Sequence, residues 1–235
     1  MPIELFNINE GYTVFTESDY RTKKHTHYAI EIVCCKEGTF NVTTAVSNHT
    51  NITSVIIPSN LPHRFSCLGT TCNLLFLDPL SPLGSHFRKQ YRLVSQNDAI
   101  ANPPGLNRFY KNGNFNISWM KRYREGCTPA DLDFRIRNCL QEIDARITDQ
   151  SIPLSQLSEA SFLSESRLSH LFKEQIGISI HQCILWKKIL VAVVKAREGY
   201  SLTACAHYAG FSDSAHFCKV YARMFGINPF FVLKR

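Results

Sequence analysis

Two stretches near the end of the chain repeat each other, and this repeat constrains the fold more than any other feature. "FKEQIGI" begins at Phe172 and "YARMFGI" begins at Tyr221, an offset of 49 residues. A pattern of helix, short turn and helix leads into each stretch. Ser164 in the first copy, and Ser212 or Asp213 in the second, are good N-caps for the second helix. The repeat therefore predicts two helix-turn-helix units within residues 150–235.

The segment between the two copies, "HQCILWKKILVAVVKAREGY", is long enough for a connecting helix, so the region is predicted to form an all-α domain. Gly177 and Gly226 are expected to end the second helix of each copy. Residues 150–235 contain ten Lys and Arg against five Asp and Glu, so this region carries most of the formal net charge of +7. Excess positive charge favours a polyanionic partner, although charge alone is a weak indication.

Two segments, "LSESRLSHLFKEQIGIS" and "AGFSDSAHFCKVYARMFGINP", closely resemble the DNA-binding domain of AraC/XylS-type bacterial transcription regulators. The resemblance covers about a third of the chain, from about Ile152 to Arg235. It implies a seven-helix domain that places two recognition helices in adjacent major grooves of promoter DNA. It also implies RNA polymerase as a partner and a role as a transcriptional activator, while the residues themselves leave activation and repression open.

The resemblance implies DNA contacts from both recognition helices: Ser166, Arg167, Ser169, His170 and Lys173 in the first, and Ser214, Ala215, Cys218, Lys219 and Arg223 in the second. Arg167 and Lys219 are suited to guanine, whereas Ala215 and Cys218 offer only apolar contact. Lys173, Arg223, Lys187 and Lys188 are expected to meet phosphates. We therefore expect the first unit to discriminate between bases and the second mainly to anchor the protein.

Residues 11–77 alternate short β-prone runs with turn signals, which predicts an all-β barrel or sandwich. A polar stretch closed by a proline, "TDQSIP", predicts a domain boundary, so residues 1–149 form a sensor or dimerisation domain with trailing helices and residues 150–235 the DNA-binding domain. The predicted fold class is α+β with two domains. Leu132, Ile136, Leu140, Ile143 and Ile147 form an apolar helical stripe that packs either against the barrel or against a second copy in a homodimer.

"HTHYAIEIVCCKEG" and "PSNLPH" resemble the two motifs of cupins, where His25, His27, Glu31 and His63 would face inward. Three imidazoles and a carboxylate suit Mn, Fe, Ni or Zn. AraC-type regulators often carry a cupin-like sensor that keeps these residues without using metal, so we expect no cofactor. The predicted small-molecule effector pocket is lined by Phe15, His25, His27, Tyr28, Glu31, Phe40, His63 and Phe65.

We interpret the chain as a transcription regulator and not an enzyme, because the sequence shows no set of nucleophile, base and orienting group. The alternative is a metal-dependent cupin enzyme fused to a DNA-binding domain. No apolar run approaches the ~18 residues that span a bilayer, and the N-terminus does not resemble a secretion signal, so no membrane partner is expected. The nine cysteines form no C-x-x-C pair, which favours free thiols and a cytoplasmic location.

Overall fold

The computed structural model describes residues 3–7, 11–93, 98–116, 118, 120 and 131–233. Their contacts form two compact units. The first contains residues up to 130 together with 223–227, and the second contains 131–222 together with 228–234. The first unit is built mainly from strands and the second from helices, in agreement with the predicted α+β class.

The strands of the first unit form a six-stranded sheet, a three-stranded sheet and a small hairpin, all with antiparallel pairing. The strands are β1 (Ile3–Asn7), β2 (Tyr12–Ser18), β3 (Ile30–Cys35), β4 (Phe40–Thr43), β5 (Asn48–Ile52), β6 (Ser54–Ile57), β7 (Arg64–Ser66), β8 (Thr71–Leu77), β9 (Ile100–Ala101), β10 (Tyr110–Lys111) and β11 (Asn114–Phe115). The order is β1-β2-β8-β3-β6-β9 in the large sheet and β5-β4-β7 in the small one.

The alternation of side chains along β3 separates a core face from a polar site. Ile30 and Ile32 join an apolar cluster with Phe87 of α1 (Pro82–Gln90). Successive residues of a strand point to opposite faces, so Glu31 lies on the other face of the sheet. β3 is buried along its whole length, which places this carboxylate inside the first unit.

Strand β5 has no clear signal in the sequence, because the segment between β4 and β6 is rich in Asn and Thr. In the structure Val42 pairs with His49 and Thr43 with Asn48. Three of the five β5 residues are exposed, as expected for a strand at the edge of a sheet. An edge strand needs no buried apolar face, so periodicity alone does not reveal it.

The helices of the second unit match the predicted repeat. After α2 (Phe134–Ala145) come α3 (Leu154–Ala160), α4 (Glu165–Ile176), α5 (Ile180–Arg197), α6 (Leu202–Tyr208), α7 (Ser214–Phe225) and α8 (Pro229–Leu233). The pairs α3–α4 and α6–α7 are the two predicted helix-turn-helix units, and α5 connects them. Among the described residues no single helix has the length and hydropathy to cross a bilayer, although α4 and α5 together, across a 60° bend, pass that test.

The caps that the sequence suggested are present. The Ser164 hydroxyl accepts a hydrogen bond from the Arg167 amide at the start of α4, and Gly177 ends that helix with a φ of 86°. In the second helix-turn-helix unit Asp213, rather than Ser212, caps α7, because its Oδ1 accepts a hydrogen bond from the His216 amide at 2.7 Å. Local sequence thus sets both ends of the first recognition helix and the start of the second.

Helix α2 packs against α3 and α4, a contact that neither of our two alternatives for the apolar stripe included. Its buried residues are Ile136, Cys139 and Ile143. The division between the two compact units accordingly falls after residue 130, instead of at the expected 149/150. The polar stretch "TDQSIP" is a connection inside the helical unit, because the helix before it shares a core with the helices after it.

Candidate nucleic-acid interface and buried histidine cluster

Helix α4 presents a polar outward face over a fully apolar inward one. Leu168 and Phe172 are completely buried. Ser166, His170 and Lys173, spaced four and three residues apart, run along the middle of the exposed side. Arg167, Ser169 and two acidic residues, Glu165 and Glu174, flank this line and are also exposed. The outward face of α4 therefore combines hydrogen-bond donors with acceptors, and positive with negative charges.

Helix α7 has the same inward face and a simpler outward one. Phe217, Val220 and Tyr221 are buried. Ala215, Lys219 and Ala222 occupy the positions that Ser166, His170 and Lys173 hold in α4, each 49 residues further along. Two of these three side chains are methyl groups, so the middle of this face offers a single hydrogen-bonding cation.

Every residue predicted to read DNA lies at the surface or partly at the surface. Of the ten, Ser214 and Cys218 are half-buried and the other eight are exposed. They all lie on α4 and α7, within the two helices that the repeat predicted. Their contacts with DNA stay a prediction.

His216 is not among the predicted DNA-contact residues, although the repeat aligns it with one of them. It lies 49 residues after Arg167 and is exposed. Its ring packs edge-on against Phe211, with 5.4 Å between centroids, and its Nδ1 lies 3.3 Å from the Ser212 hydroxyl. The second outward face thus has an oriented imidazole where the first has a guanidinium.

Lys188 was expected to meet phosphates, and the structure shows that this is wrong. The residue is only 4% exposed. Its Nζ donates to the carbonyl oxygens of Asp149 and Gly210, each at 2.6 Å, and lies 3.3 Å from that of Gln150. Burial lowers the pKa of the Lys188 ammonium below its usual value, and Asp149 partly offsets this. Lys187, its neighbour, points elsewhere and pairs with Asp144 at 2.6 Å.

The strand-rich unit brings together the four residues of the predicted cupin motif. His25, His27, Glu31 and His63 are all buried, and one ligand atom from each lies within 4.8 Å of all the others. His27 Nε2 and His63 Nε2 both lie 3.1 Å from Glu31 Oε2. The His63 contact does not have hydrogen-bond geometry, so among the described residues this nitrogen is buried without a hydrogen-bond partner.

Backbone carbonyls fix the orientation of all three rings. The Nδ1 atoms of His25, His27 and His63 lie 2.9, 3.0 and 2.8 Å from the carbonyl oxygens of Lys23, Ala29 and Leu61. A carbonyl only accepts hydrogen bonds, so each Nδ1 must carry the proton. Nε2 of each ring then carries a lone pair when the ring is neutral and a proton when it is charged, and the Nε2 atoms of His27 and His63 both face the Glu31 carboxylate.

The charges in this cluster perturb the pKa values of its members. Burial, followed by the neighbouring His63 and His27, lowers the pKa of His25 to about 3. Burial opposes ionisation of Glu31, but the hydrogen bond with His27 and the adjacent His63 ring hold the pKa of this carboxyl far below its usual value. Burial also disfavours the His63 cation, whereas Glu31 raises the His63 pKa overall. The cluster is therefore arranged around one carboxylate that needs positive charge.

The other four predicted pocket residues are also buried, and Phe15 is linked to the cluster through Phe76. Phe15 packs edge-on against Phe76, and the Phe76 ring lies 5.2 Å from that of His27. Phe40 and Phe65 pack against each other at 5.5 Å, and Tyr28 is 5% exposed. Phe76 itself was missed; it is the cross-strand partner of Glu31, which the alternation in "CNLLFL" would have suggested.

Comparison with known proteins supports the prediction that the helical unit contains helix-turn-helix units. Residues 157–235 match the family described as "Helix-turn-helix domain". The arabinose operon regulatory protein of Escherichia coli is 29% identical over 115 residues, which is 47% of this chain and 38% of that protein. The probable transcriptional regulator LumQ of Photobacterium leiognathi is 33% identical over 81 residues, 34% of this chain and 33% of LumQ. The matched region thus spans about a third of the length of these curated relatives.

The architecture of the whole chain is also similar to a solved structure. The structure of ToxT from Vibrio cholerae superposes with a TM-score of 0.61 over 95% of this chain and 97% of that one, at 12% sequence identity. A second structure of ToxT, bound to an unsaturated fatty acid, gives a TM-score of 0.60 at 13% identity over 95% of each chain. At this identity the likeness shows a shared fold.

Proposed function

We propose that this chain, which belongs to the AraC/XylS family of regulators, acts as a sequence-specific DNA-binding transcription regulator. The observation that carries the proposal is the repeated outward face. Two 12-residue helices, 49 residues apart, each bury one apolar side and expose a side that includes cations. A pair of such helices suits two successive segments of the major groove, about 34 Å apart.

In this proposal the side chains of α4 carry most of the base discrimination. Arg167 donates to guanine, and His170, Ser166 and Ser169 form shorter-range hydrogen bonds, while Lys173 binds phosphate. In α7, Lys219 donates to guanine or phosphate, Ser214 bonds weakly, Arg223 binds phosphate, and Ala215 and Cys218 make apolar contact. We add His216, because its ring is exposed and oriented by Phe211 and Ser212.

A double substitution tests this placement. His170→Ala with Lys219→Ala removes the central cation or imidazole of both outward faces, and we expect binding to the DNA upstream of its own gene to weaken by about 100-fold or more, from roughly 1–3 kcal/mol per contact. The wild-type affinity should fall steeply with salt. Fluorescence anisotropy at two salt concentrations measures both effects.

The matched control is Lys36→Ala with His86→Ala, which removes the same two residue types from the strand-rich unit. We expect this variant to bind DNA like the wild type. Equal affinity of wild type and of the His170 and Lys219 double variant would contradict the proposed reading faces.

We also propose that the strand-rich unit senses an effector, through the pocket lined by Phe15, His25, His27, Tyr28, Glu31, Phe40, His63 and Phe65. The pocket residues are buried and include one carboxylate and three imidazoles among aromatic rings. ToxT, which shares the fold, has been solved with an unsaturated fatty acid, which supports a small-molecule effector for the architecture. The protein would act in the bacterial cytoplasm, with promoter DNA and RNA polymerase as partners, and as a homodimer where its sites are paired.

A divalent metal is a second occupant of this pocket that one specific observation favours. The three Nδ1 atoms are bonded to carbonyls, so three neutral Nε2 atoms and Glu31 converge as a donor set suited to Mn, Fe, Ni or Zn. Two donors on one metal lie at most about 4.2 Å apart, so the 4.8 Å cluster would contract by about half an ångström. A bound metal would supply fixed positive charge beside the carboxylate.

Metal analysis separates these two occupants. Protein purified without added metal holds well below one equivalent if the pocket is metal-free, and about one equivalent if the cluster is a metal site. Glu31→Gln should abolish stoichiometric binding, while His86→Gln, outside the cluster, should not. Both relatives named above are regulators, which favours a protein without catalytic activity. Tightly held iron or manganese, together with turnover of a small molecule, would instead support the cupin enzyme.

A further inference from the structure

Lys188 lies in the middle of α5, the helix that connects the two helix-turn-helix units, and its ammonium group is enclosed by backbone. An ammonium has three N–H donors and no acceptor. Three carbonyl oxygens, those of Asp149, Gln150 and Gly210, lie 2.6, 3.3 and 2.6 Å from Nζ. The donors of the buried cation are thus matched by acceptors that carry no charge of their own.

These carbonyls belong to two segments that are far apart in the sequence. Asp149 and Gln150 are in the connection between α2 and α3, and Gly210 is in the turn between α6 and α7. Lys188 therefore ties the segment that follows α2 to the turn that leads into the second reading helix.

The backbone at this turn also approaches the same segment closely. Gly210 has a φ of 68°, and a Cβ at this position would lie 2.5 Å from the Asp149 carbonyl oxygen and 2.6 Å from that of Thr148. Such distances are not compatible with a side chain, so only glycine permits this contact. The buried cation thus binds this pair of segments, and the glycine permits their close approach.

The residues that precede the segment bound by Lys188, in and just before α2, also contact the first helix-turn-helix unit. Asn138 of α2 donates through Nδ2 to the carbonyl of Ala160, which ends α3, at 3.3 Å. The Asp133 amide donates to Gln175 of α4 at 3.0 Å. Ala160 corresponds to Ala209 in the repeat, the residue before Gly210. Residues 133–150 therefore contact equivalent turns of both units.

We propose that Lys188 is a positioning residue that sets the separation of the two reading helices by joining residues 149–150 to the turn before α7. The proposal rests on the proposed function, since DNA with two groove segments at a fixed spacing requires two reading helices at a fixed spacing. Lys188 acts through this backbone linkage and not by contacting DNA.

The test compares Lys188→Met, which keeps the length of the side chain without its donors, with the matched neighbour Lys187→Met. The DNA is a site selected from a random pool by the wild-type protein, together with the same site with its two halves moved apart by about 2 base pairs and a single half-site. For Lys188→Met we expect at least a tenfold loss on the intact site, less than about a twofold loss on the half-site, a weaker preference for the original spacing, and an unchanged salt dependence.

Two results would overturn the proposal. An equal loss on the intact site and the half-site, with a smaller salt dependence, would mean that Lys188 contacts phosphate. Unchanged binding to all three DNAs would mean that the linkage does not position α7. Lys187→Met should keep the spacing preference of the wild type.

Hydrogen exchange keeps the test independent of DNA binding and of folding failure. We expect faster exchange in residues 148–150 and 210–213 of Lys188→Met, with α4 unaffected, and the same pattern in Gly210→Ala. If Lys188→Met does not fold, Lys188→Arg and Gly210→Ala take its place in both measurements. A wild type that binds no DNA would contradict the proposed function, whereas exchange that is unchanged in every variant would contradict the linkage.

Discussion

The two helix-turn-helix units are copies with the same inward face and different outward faces. Leu168 and Phe217 occupy equivalent positions and are both completely buried. Ser166 and Lys173 in the first unit correspond to Ala215 and Ala222 in the second. Packing restricts the inward residues to large apolar side chains in both copies, while the outward residues are free to differ.

The two outward faces differ in the hydrogen-bonding groups and charges that they expose, which the overall composition does not show. The first outward face contains hydroxyls, an imidazole, two cations and two carboxylates, so its fixed charges nearly cancel and its contacts depend on hydrogen-bond geometry. The second face contains Lys219 and Arg223 around small side chains. A face of varied donors suits base recognition, and a face of cations with methyl groups suits the DNA backbone.

The turns of the two units also differ. In the first, Phe162 has a φ of 53° and its side chain is 78% exposed, so a strained residue lies where little packs against it. In the second, Gly210 has a φ of 68° and lies against the carbonyls of residues 148 and 149. The positive-φ residue of the second turn is therefore packed against a distant segment, whereas that of the first turn is largely exposed.

The largest expected effect concerns what the two units share. Phe217→Ala should destabilise the protein by about 3–5 kcal/mol and Leu168→Ala by about 2–5 kcal/mol, because each leaves a cavity in a fully buried face. Urea denaturation followed by circular dichroism measures both. Ser166→Ala, on the exposed face, is the control and should change stability by less than about 0.5 kcal/mol. A loss below about 1 kcal/mol for either buried variant would show that its unit does not depend on this packing.

An intermediate effect should separate the two outward faces. Arg167→Ala should cost about 1–3 kcal/mol on the specific site and relax the preference at one base pair, whereas Lys219→Ala should weaken specific and non-specific DNA alike and reduce the salt slope by about 1. Binding titrations against a set of single-base variants measure this. The reverse pattern, with base preference lost on Lys219→Ala, would assign discrimination to the second unit.

The smallest effect should distinguish the caps of the two reading helices. Ser164→Ala should cost about 1 kcal/mol at every pH, because a hydroxyl does not ionise in this range. In the second helix-turn-helix unit the pKa of the Asp213 carboxyl is lowered, mainly by the hydrogen bond from the His216 amide and to a smaller extent by the one from the Ser212 hydroxyl. A carboxyl with a lowered pKa stabilises the fold at neutral pH and loses this contribution as pH falls through its folded-state pKa.

Thermal unfolding of wild type, Ser164→Ala and Asp213→Asn from about pH 6 to about pH 3 tests this contrast. The difference between wild type and Asp213→Asn should shrink towards low pH, while the difference between wild type and Ser164→Ala should stay constant. A constant difference for Asp213→Asn would mean that its charge does not contribute to the cap.

The sequence predicted the two helix-turn-helix units, their caps and their surface residues, since these depend on neighbours within a few positions. Helix α4 begins after Ser164 and ends before Gly177, as the sequence suggested, because an N-cap, a terminal glycine and apolar spacing all act locally. The four residues of the histidine cluster were also identified, from a motif within 25–31 and a second at 63. Strand β5 escaped prediction because an edge strand lacks an apolar period.

What only the tertiary structure decided are the partners of these residues. Lys188 reads in the sequence as a surface cation, and its three acceptors lie 22 or more residues away. The neighbours of α2 and the direction of the Nε2 atoms of His27 and His63 also could not be predicted from the sequence. Side-chain periodicity records which face of an element is buried, but the atoms that meet a buried polar group come from distant segments, and folding brings them together.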